Sequence, residues 1–144
     1  MNNELLVALT SIVPAVELQG AIPFGIVSGL SLTKTYLIAA LSNGLFALPV
    51  LLFWRGAAEF AQKHSKIGQK FFNWLFQHDQ SKPATIWTMI SLIVFTSLPV
   101  PFTGIYTSGI LAPLFRLPFW KSFFAILLGV LIEGVILITL WQKY

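Results

Sequence analysis

LPVPFTGIYTSG, residues 98–109, lies in the middle of a stretch, 84–115, that carries no charged side chain. The surroundings read as membrane, because a spanning helix needs roughly 20 consecutive apolar residues. The quoted segment resists that reading. Pro99 and Pro101 each remove a backbone N–H, and Gly104 follows where a spanning helix needs intact hydrogen bonds. In hydrocarbon an unpaired N–H or C=O is costly, so a broken helix at membrane depth persists only where protein or a water-filled cavity covers it. Re-entrant loops and transporter sites are the usual settings. A second segment, PAVELQGAIPFG at 14–25, repeats the pattern and adds a carboxylate, Glu17. Two such segments point to a substrate pathway rather than to a simple anchor.

Composition supports the membrane reading. Of 144 residues, 56% are hydrophobic and 10% charged, with a mean hydropathy of +0.80. Soluble domains carry about 25% charged residues. The beginning, MNNELL, has no positive n-region, and the first apolar run leads into Pro14 and Glu17 rather than a cleavage site, so the first hydrophobic segment is expected to direct insertion. The absence of cysteine excludes disulfides, thiolate metal sites and cysteine nucleophiles. A net charge of +4 is not a nucleic-acid signature here, since the basic residues flank apolar segments and read as topology determinants.

Four hydrophobic blocks stand out. Block 5–32 carries Glu17 alone among charges and is interrupted by Pro14, Gly20, Pro23, Gly25 and Gly29. Block 36–54 is charge-free and reads as a spanning helix with Pro49 as a kink. Block 84–115 is the broken one, and block 118–141 reads as a second spanning helix containing Lys121 and Glu133. Trp54, Trp87, Trp120 and Trp141 lie near block ends, as an interfacial aromatic belt places them. Between the second and third blocks, Phe60, Ile67, Phe71, Trp74 and Leu75 recur at helical spacing, while Lys63, Lys66, Lys70 and Gln77 fall on other faces. This connector, 55–83, is expected to be a basic amphipathic helix on the membrane surface, the alternative being a solvated link.

The halves look alike. Pro14 and Pro99 are 85 residues apart, as are Gly44 and Gly129, whereas Lys34 and Lys121, like Trp54 and Trp141, are 87 apart. Charge counting separates two topologies. If both broken blocks re-enter, seven of the nine basic residues lie on the side of the connector. If all four blocks span, six do. The positive-inside rule therefore favours re-entry with the connector cytoplasmic. The expected architecture is an all-α integral membrane domain of two inverted repeats, 4–54 and 84–142. Each repeat is a Pro/Gly-broken re-entrant hairpin followed by a transmembrane helix, a common transporter plan.

Glu17 is the sharpest candidate for chemistry. A charge at the bilayer centre costs on the order of 2.5–3.5 kcal/mol even on insertion scales, so it persists with a partner or a task. At a hairpin tip it is a candidate proton carrier, or else a protonated cap of broken backbone. Glu133, in GVLIEGVIL, is a second candidate for ion coupling, or a structural hydrogen bond across the packing of Gly129 and Gly134. Pro14, Gln19, Gly20, Pro23, Asn43, Pro99, Pro101, Thr103, Gly104 and Tyr106 complete the expected substrate pathway, with Thr107 and Ser108 as further neutral polar groups. Taken individually, each polar one is read as serving freed backbone before it is read as binding a ligand. His64 and His78 fall in the connector outside any catalytic arrangement, and Asp79 beside His78 reads as solvated. No enzyme activity, cofactor or metal is expected.

At PAVELQGAIPFGI and SLPVPFTGIYTSGIL the chain resembles the family of small multidrug export proteins, and more distantly the DedA-like membrane proteins. The family pattern P-x-x-E-L-R-G-A-I-P maps onto Pro14, Glu17, Leu18, Gly20, Ala21, Ile22 and Pro23. Its P-x-P-x-T-G maps onto Pro99, Pro101, Thr103 and Gly104, and Asn43 with Gly44 fits the helix after the first motif. The resemblance implies two hairpins meeting in the membrane, an inverted repeat and a transport role. Two departures matter: Gln19 stands where the pattern has arginine, and Glu133 where a small or apolar residue is expected. The first expectation is a small secondary transporter of the cytoplasmic membrane, homodimeric, exporting or exchanging a small molecule with possible proton coupling. A translocase of an anionic polyprenyl-phosphate-type lipid and a non-transporting scaffold are the alternatives.

Overall fold

The computed structural model describes residues 2–77 and 86–143, apart from the side chains of Phe72, Leu75, Phe76 and Gln77. His78, Asp79, Lys82 and the expected start of the second repeat at 84 lie outside the described residues. The described chain is helical throughout, in the order α1 (Asn3–Ser11), α2 (Glu17–Val27), α3 (Leu32–His64), α4 (Lys66–Gln77), α5 (Ile86–Ser97), α6 (Ile105–Leu114) and α7 (Phe119–Trp141).

Length sorts these helices. At 1.5 Å per residue, α3 with 33 residues and α7 with 23 reach about 50 and 35 Å, enough to cross a hydrocarbon core of about 30 Å. The 9 to 12 described residues of α1, α2, α5 and α6 span about 14–18 Å each. α1 and α2 fold back on one another: the Asn3 side-chain amide donates to the Ser28 carbonyl at 3.2 Å, and Val7 packs at Gly25. α5 meets α6 through a 2.6 Å hydrogen bond between the Thr96 and Ser108 hydroxyls.

Two sequence expectations need correcting. The connector does not begin at Arg55, because α3 continues unbroken to His64. Nothing in RGAAEFAQKH stops a helix, and the break comes at Ser65, which is extended (φ −114°, ψ 123°) and accepts from the Gly68 amide at 3.1 Å. The amphipathic helix is therefore α4 alone, with Ile67 and Trp74 well exposed. The first broken segment breaks only around 12–16. α2 then runs through Gly20 and Pro23, the proline merely removing the amide that would reach the Gln19 carbonyl.

A spacing of 87 residues organises the backbone. Left-handed Ala15 (φ 67°) and Gly29 (φ 87°) fall, after that shift, on Phe102 (φ 72°) and Arg116 (φ 56°). The bonds ending α2, from Ser28, Gly29 and Leu30 amides to Phe24, Ile26 and Gly25 carbonyls, recur from Phe115, Arg116 and Leu117 to Leu111, Pro113 and Ala112. This is the pairing by which a helix end satisfies its last carbonyls. α3 starts at Leu32 and α7 at Phe119, again 87 apart. The partner of Pro14 in this register is Pro101, not Pro99.

Packing follows the same exchange. α3 lies on α1 and α2 and crosses to α6, while α7 lies on α5 and α6 and crosses to α2; α3 and α7 pack together. Glycines allow the close approaches: a Cβ on Gly44 would lie 2.5 Å from Leu127, one on Gly129 2.5 Å from Thr96, and one on Gly134 2.5 Å from Tyr36. The fully buried apolar side chains Val7, Leu18, Ile22, Leu51, Leu92, Ile105 and Ile126 come from all these helices. Outward, α3 and α7 expose Leu41, Leu45, Leu52, Phe124 and Val135, a surface suited to lipid rather than water.

Candidate functional site: two turns that meet

Just past the exposed turns 12–16 and 98–104, the start of α2 meets the start of α6. Glu17, at the start of α2, is almost fully buried and accepts a hydrogen bond from the backbone amide of Ile105, the first residue of α6. The amides of a helix's first turn lack intrahelical partners and carry the positive end of its dipole, so a carboxylate from another element satisfies them well. The approach needs glycine at 104. A Cβ there would lie 1.4 Å from Glu17 Oε2, which no real contact permits.

Tyr106 ties the contact in the other direction, its hydroxyl donating to the Ile12 carbonyl. Asn43, fully buried on α3, donates to the Ser11 carbonyl at 2.5 Å. The carbonyls freed where α1 stops are thus met by side chains from α3 and α6. Asn43 is a support for the first turn in this arrangement, though its Oδ1 has no partner.

Glu133 stands 1% exposed on α7. Its Oε1 accepts from Gln19 Nε2 at 3.5 Å, and its Oε2 has no partner. Gln19 lies two residues from Glu17 on α2, so the two carboxylates share one region, near enough to act on each other electrostatically. No Lys, Arg or His among the described residues pairs with either. An ion pair of Lys34 with Glu4 ties the start of α3 to the first turn of α1.

Of the expected pathway residues, the structure brings together Glu17, Gln19, Gly104, Tyr106 and Glu133, with Asn43 behind the first turn. Pro14 and Pro101 are exposed at the turns, Pro99 and Pro23 half-buried, and Gly20 packs on Val16. They shape the backbone without reaching the carboxylates. Thr103 serves its own turn, its hydroxyl donating to the Val100 and Leu98 carbonyls at 2.7 and 2.8 Å.

Sequence reasoning missed Arg55. It read as a topology charge, yet its Nη2 donates to the Leu117 carbonyl and, at 3.4 Å, to the Ser122 hydroxyl, while the guanidinium sits 5.6 Å from the Phe119 ring. An arginine directly following an apolar helix run, rather than in the open connector, was the available signal. The Ile105 amide, a backbone group, left no signal in residue type at all.

A family model described as "Putative small multi-drug export protein" matches residues 17–136. No curated protein and no solved structure matches the chain. The match begins at the carboxylate that meets Gly104 and covers Glu133.

Proposed function

This chain belongs to the small multi-drug export protein family, and on that premise we propose that it is a proton-coupled secondary transporter of the cytoplasmic membrane. It exports or exchanges a small molecule through the place where its two turns meet. The observation that carries this reading is the pair of buried carboxylates, Glu17 and Glu133, with no basic partner and with one oxygen of Glu133 unsatisfied. A purely structural role would pair such groups, since an unpartnered buried charge is strongly unfavourable. Intramembrane acids mark ion and proton pathways.

The short helix pairs act as re-entrant hairpins, each too short to cross, and the 87-residue recurrence supports two repeats inserted in opposite senses. In that arrangement Glu17 and Gly104, equivalent positions that touch, lie close to the axis relating the halves and hence near mid-membrane. The basic α4 lies on the cytoplasmic face, and a second copy shields the remaining polar backbone. The chain moves its substrate without altering a covalent bond. An anionic lipid headgroup is disfavoured, because it would meet two carboxylates and no base.

Reconstitution tests the reading. Proteoliposomes carrying an imposed pH gradient are to be offered a panel of cationic, neutral and anionic small molecules. Gradient-driven accumulation of at least one is expected, and Glu17→Gln, which keeps the amide contact but cannot titrate, abolishes it. Glu133→Gln is measured in parallel. Accumulation that survives in Glu17→Gln and fails in Glu133→Gln assigns the proton to α7 instead, and no accumulation by the unaltered protein overturns the proposal.

A further inference from the structure

A cavity of about 370 Å³ opens beside the last third of α3, lined by Arg55, Ala58, Glu59 and Gln62 and, from the other side, by Pro113 and Arg116. The four α3 residues recur at helical spacing on one face, and Arg116 comes from the left-handed turn (φ 56°) that joins α6 to α7. Neither Glu17 nor Glu133 lines this cavity. Arg55 is fixed in its wall by the Leu117 carbonyl and the Ser122 hydroxyl. Among the described residues its hydrogen bonds all leave from Nη2, and its Nε is buried without a partner. A buried charged donor left in that condition is unfavourable, so the guanidinium still has N–H groups to give.

The polar cavity opens onto apolar ones. It shares Ala58 and Pro113 with a hollow of about 200 Å³ that Trp54, Ile110 and Leu114 also line. Trp54 belongs in turn to a third hollow, about 270 Å³, reaching Phe46 and Tyr106. The three follow the seam where α3 packs on α6, polar at one end and apolar beyond it. From Ala58 back to Phe46 the helix rises about 18 Å, close to the depth of one leaflet, about half of a 30 Å hydrocarbon core. Arg55 stands about 35 Å along α3 from Leu32, just past the thickness of that core. The arginine end of the seam therefore falls at headgroup level, where Trp54 and Trp120 suit an interfacial belt.

We propose that this seam seats one anionic glycerophospholipid of the leaflet on the α4 side, its phosphate held by Arg55 and Arg116 and one acyl chain laid between α3 and α6. The lipid is a fixed ligand and not the cargo, and the inference asks only that the chain lie in a bilayer. The planar fork of a guanidinium matches phosphate oxygens, and basic pockets between membrane helices hold anionic headgroups. Two guanidiniums against one carboxylate leave the lining positive, which favours a headgroup of net negative charge over a zwitterion. Glu59 and Gln62 offer acceptor oxygens to the hydroxyls of a glycerol headgroup, so phosphatidylglycerol is the fitting probe. Free phosphate would have no use for the apolar part of the seam.

Native mass spectrometry of the purified full-length protein tests this, after delipidation in detergent and addition of equal amounts of phosphatidylglycerol and phosphatidylcholine with the same chains. One phosphatidylglycerol per chain should be retained, at least tenfold in preference to phosphatidylcholine, and a hundredfold excess of glycerol 3-phosphate should not displace it. Arg116→Gln alters an exposed side chain and should lower retention at least fivefold. Ala58→Phe fills the point where the polar and apolar hollows join and should lower it at least tenfold. Both are read on protein whose helix content by circular dichroism matches that of the unaltered chain. Equal retention of the two lipids, displacement by glycerol 3-phosphate, or unchanged retention in either variant overturns the proposal.

Discussion

The two turns share a left-handed residue, Ala15 in one and Phe102 in the other, and differ in how they satisfy their backbone. The turn at 98–104 is largely self-sufficient: Thr103 donates to the Val100 and Leu98 carbonyls and Thr107 to the Phe102 carbonyl, all local. The turn at 12–16 relies on others. Its carbonyl side is met by Asn43 and Tyr106, and just past it Glu17 reaches out to the Ile105 amide. At equivalent positions one half has a carboxylate and the other has the glycine that makes room for it. Turns in the same register thus hold unlike chemistry, and the turn with distant partners is the one through which other elements can act.

The largest effect should come from removing that room. Gly104→Ala places a methyl group on the Glu17 carboxylate, and overpacking of this kind costs about 3 kcal/mol, at the upper end of its range. Thermal unfolding in detergent should show the loss, and proteoliposome transport should vanish. The exchanged pair Glu17→Gly with Gly104→Glu should recover part of the stability if the positions are equivalent. Wild-type stability in Gly104→Ala would break the comparison outright.

Gln19→Arg comes next. It places a cation between two acids, and hydrogen bonds to charged groups contribute about 1.5–3 kcal/mol. A higher unfolding temperature together with lost accumulation is expected. A stabilised variant that still transports would mean the acids need not be free to change partners.

A smaller pair of variants separates the two turns. Tyr106→Phe and Thr103→Val each delete one hydroxyl donor, at about 1 kcal/mol apiece. Only the tyrosine reaches across to the other half, so transport should fall several-fold in Tyr106→Phe and stay near wild type in Thr103→Val. Equal transport losses would place function in both turns alike. Labelling moves no free energy but tests the inversion. Cysteines at Lys34 and Lys143 should react with an impermeant reagent from outside, and those at Lys66 and Arg116 should not. Reaction at 116 from outside would favour four full spans.

Helix class and the two long apolar helices were legible because charge-free length is a composition property. The resemblance implies that the two interrupted segments meet, but not that Glu17 takes the Ile105 amide, since neither residue type nor spacing names a backbone amide as partner. Glu133 was visible as an anomaly, whereas its link to Gln19 depends on how α7 crosses α2. The connector was misplaced for a local reason. Arg55 ends an apolar run but not a helix, and polarity was read as a break where only Ser65 supplies one.

The dependence of the first turn on distant partners also fixes an order of events during synthesis. Asn43 follows Ser11 in the chain by 32 residues, and Tyr106 follows Ile12 by 94. When the first hairpin emerges into the bilayer, neither the hydroxyl nor the Ile105 amide that its groups require has yet been made. The second turn finds its hydroxyl partners within its own few residues. The first half therefore reaches its final packing only after the second has arrived, and a ribosome paused between them holds an unfinished hairpin with its acid still seeking a donor.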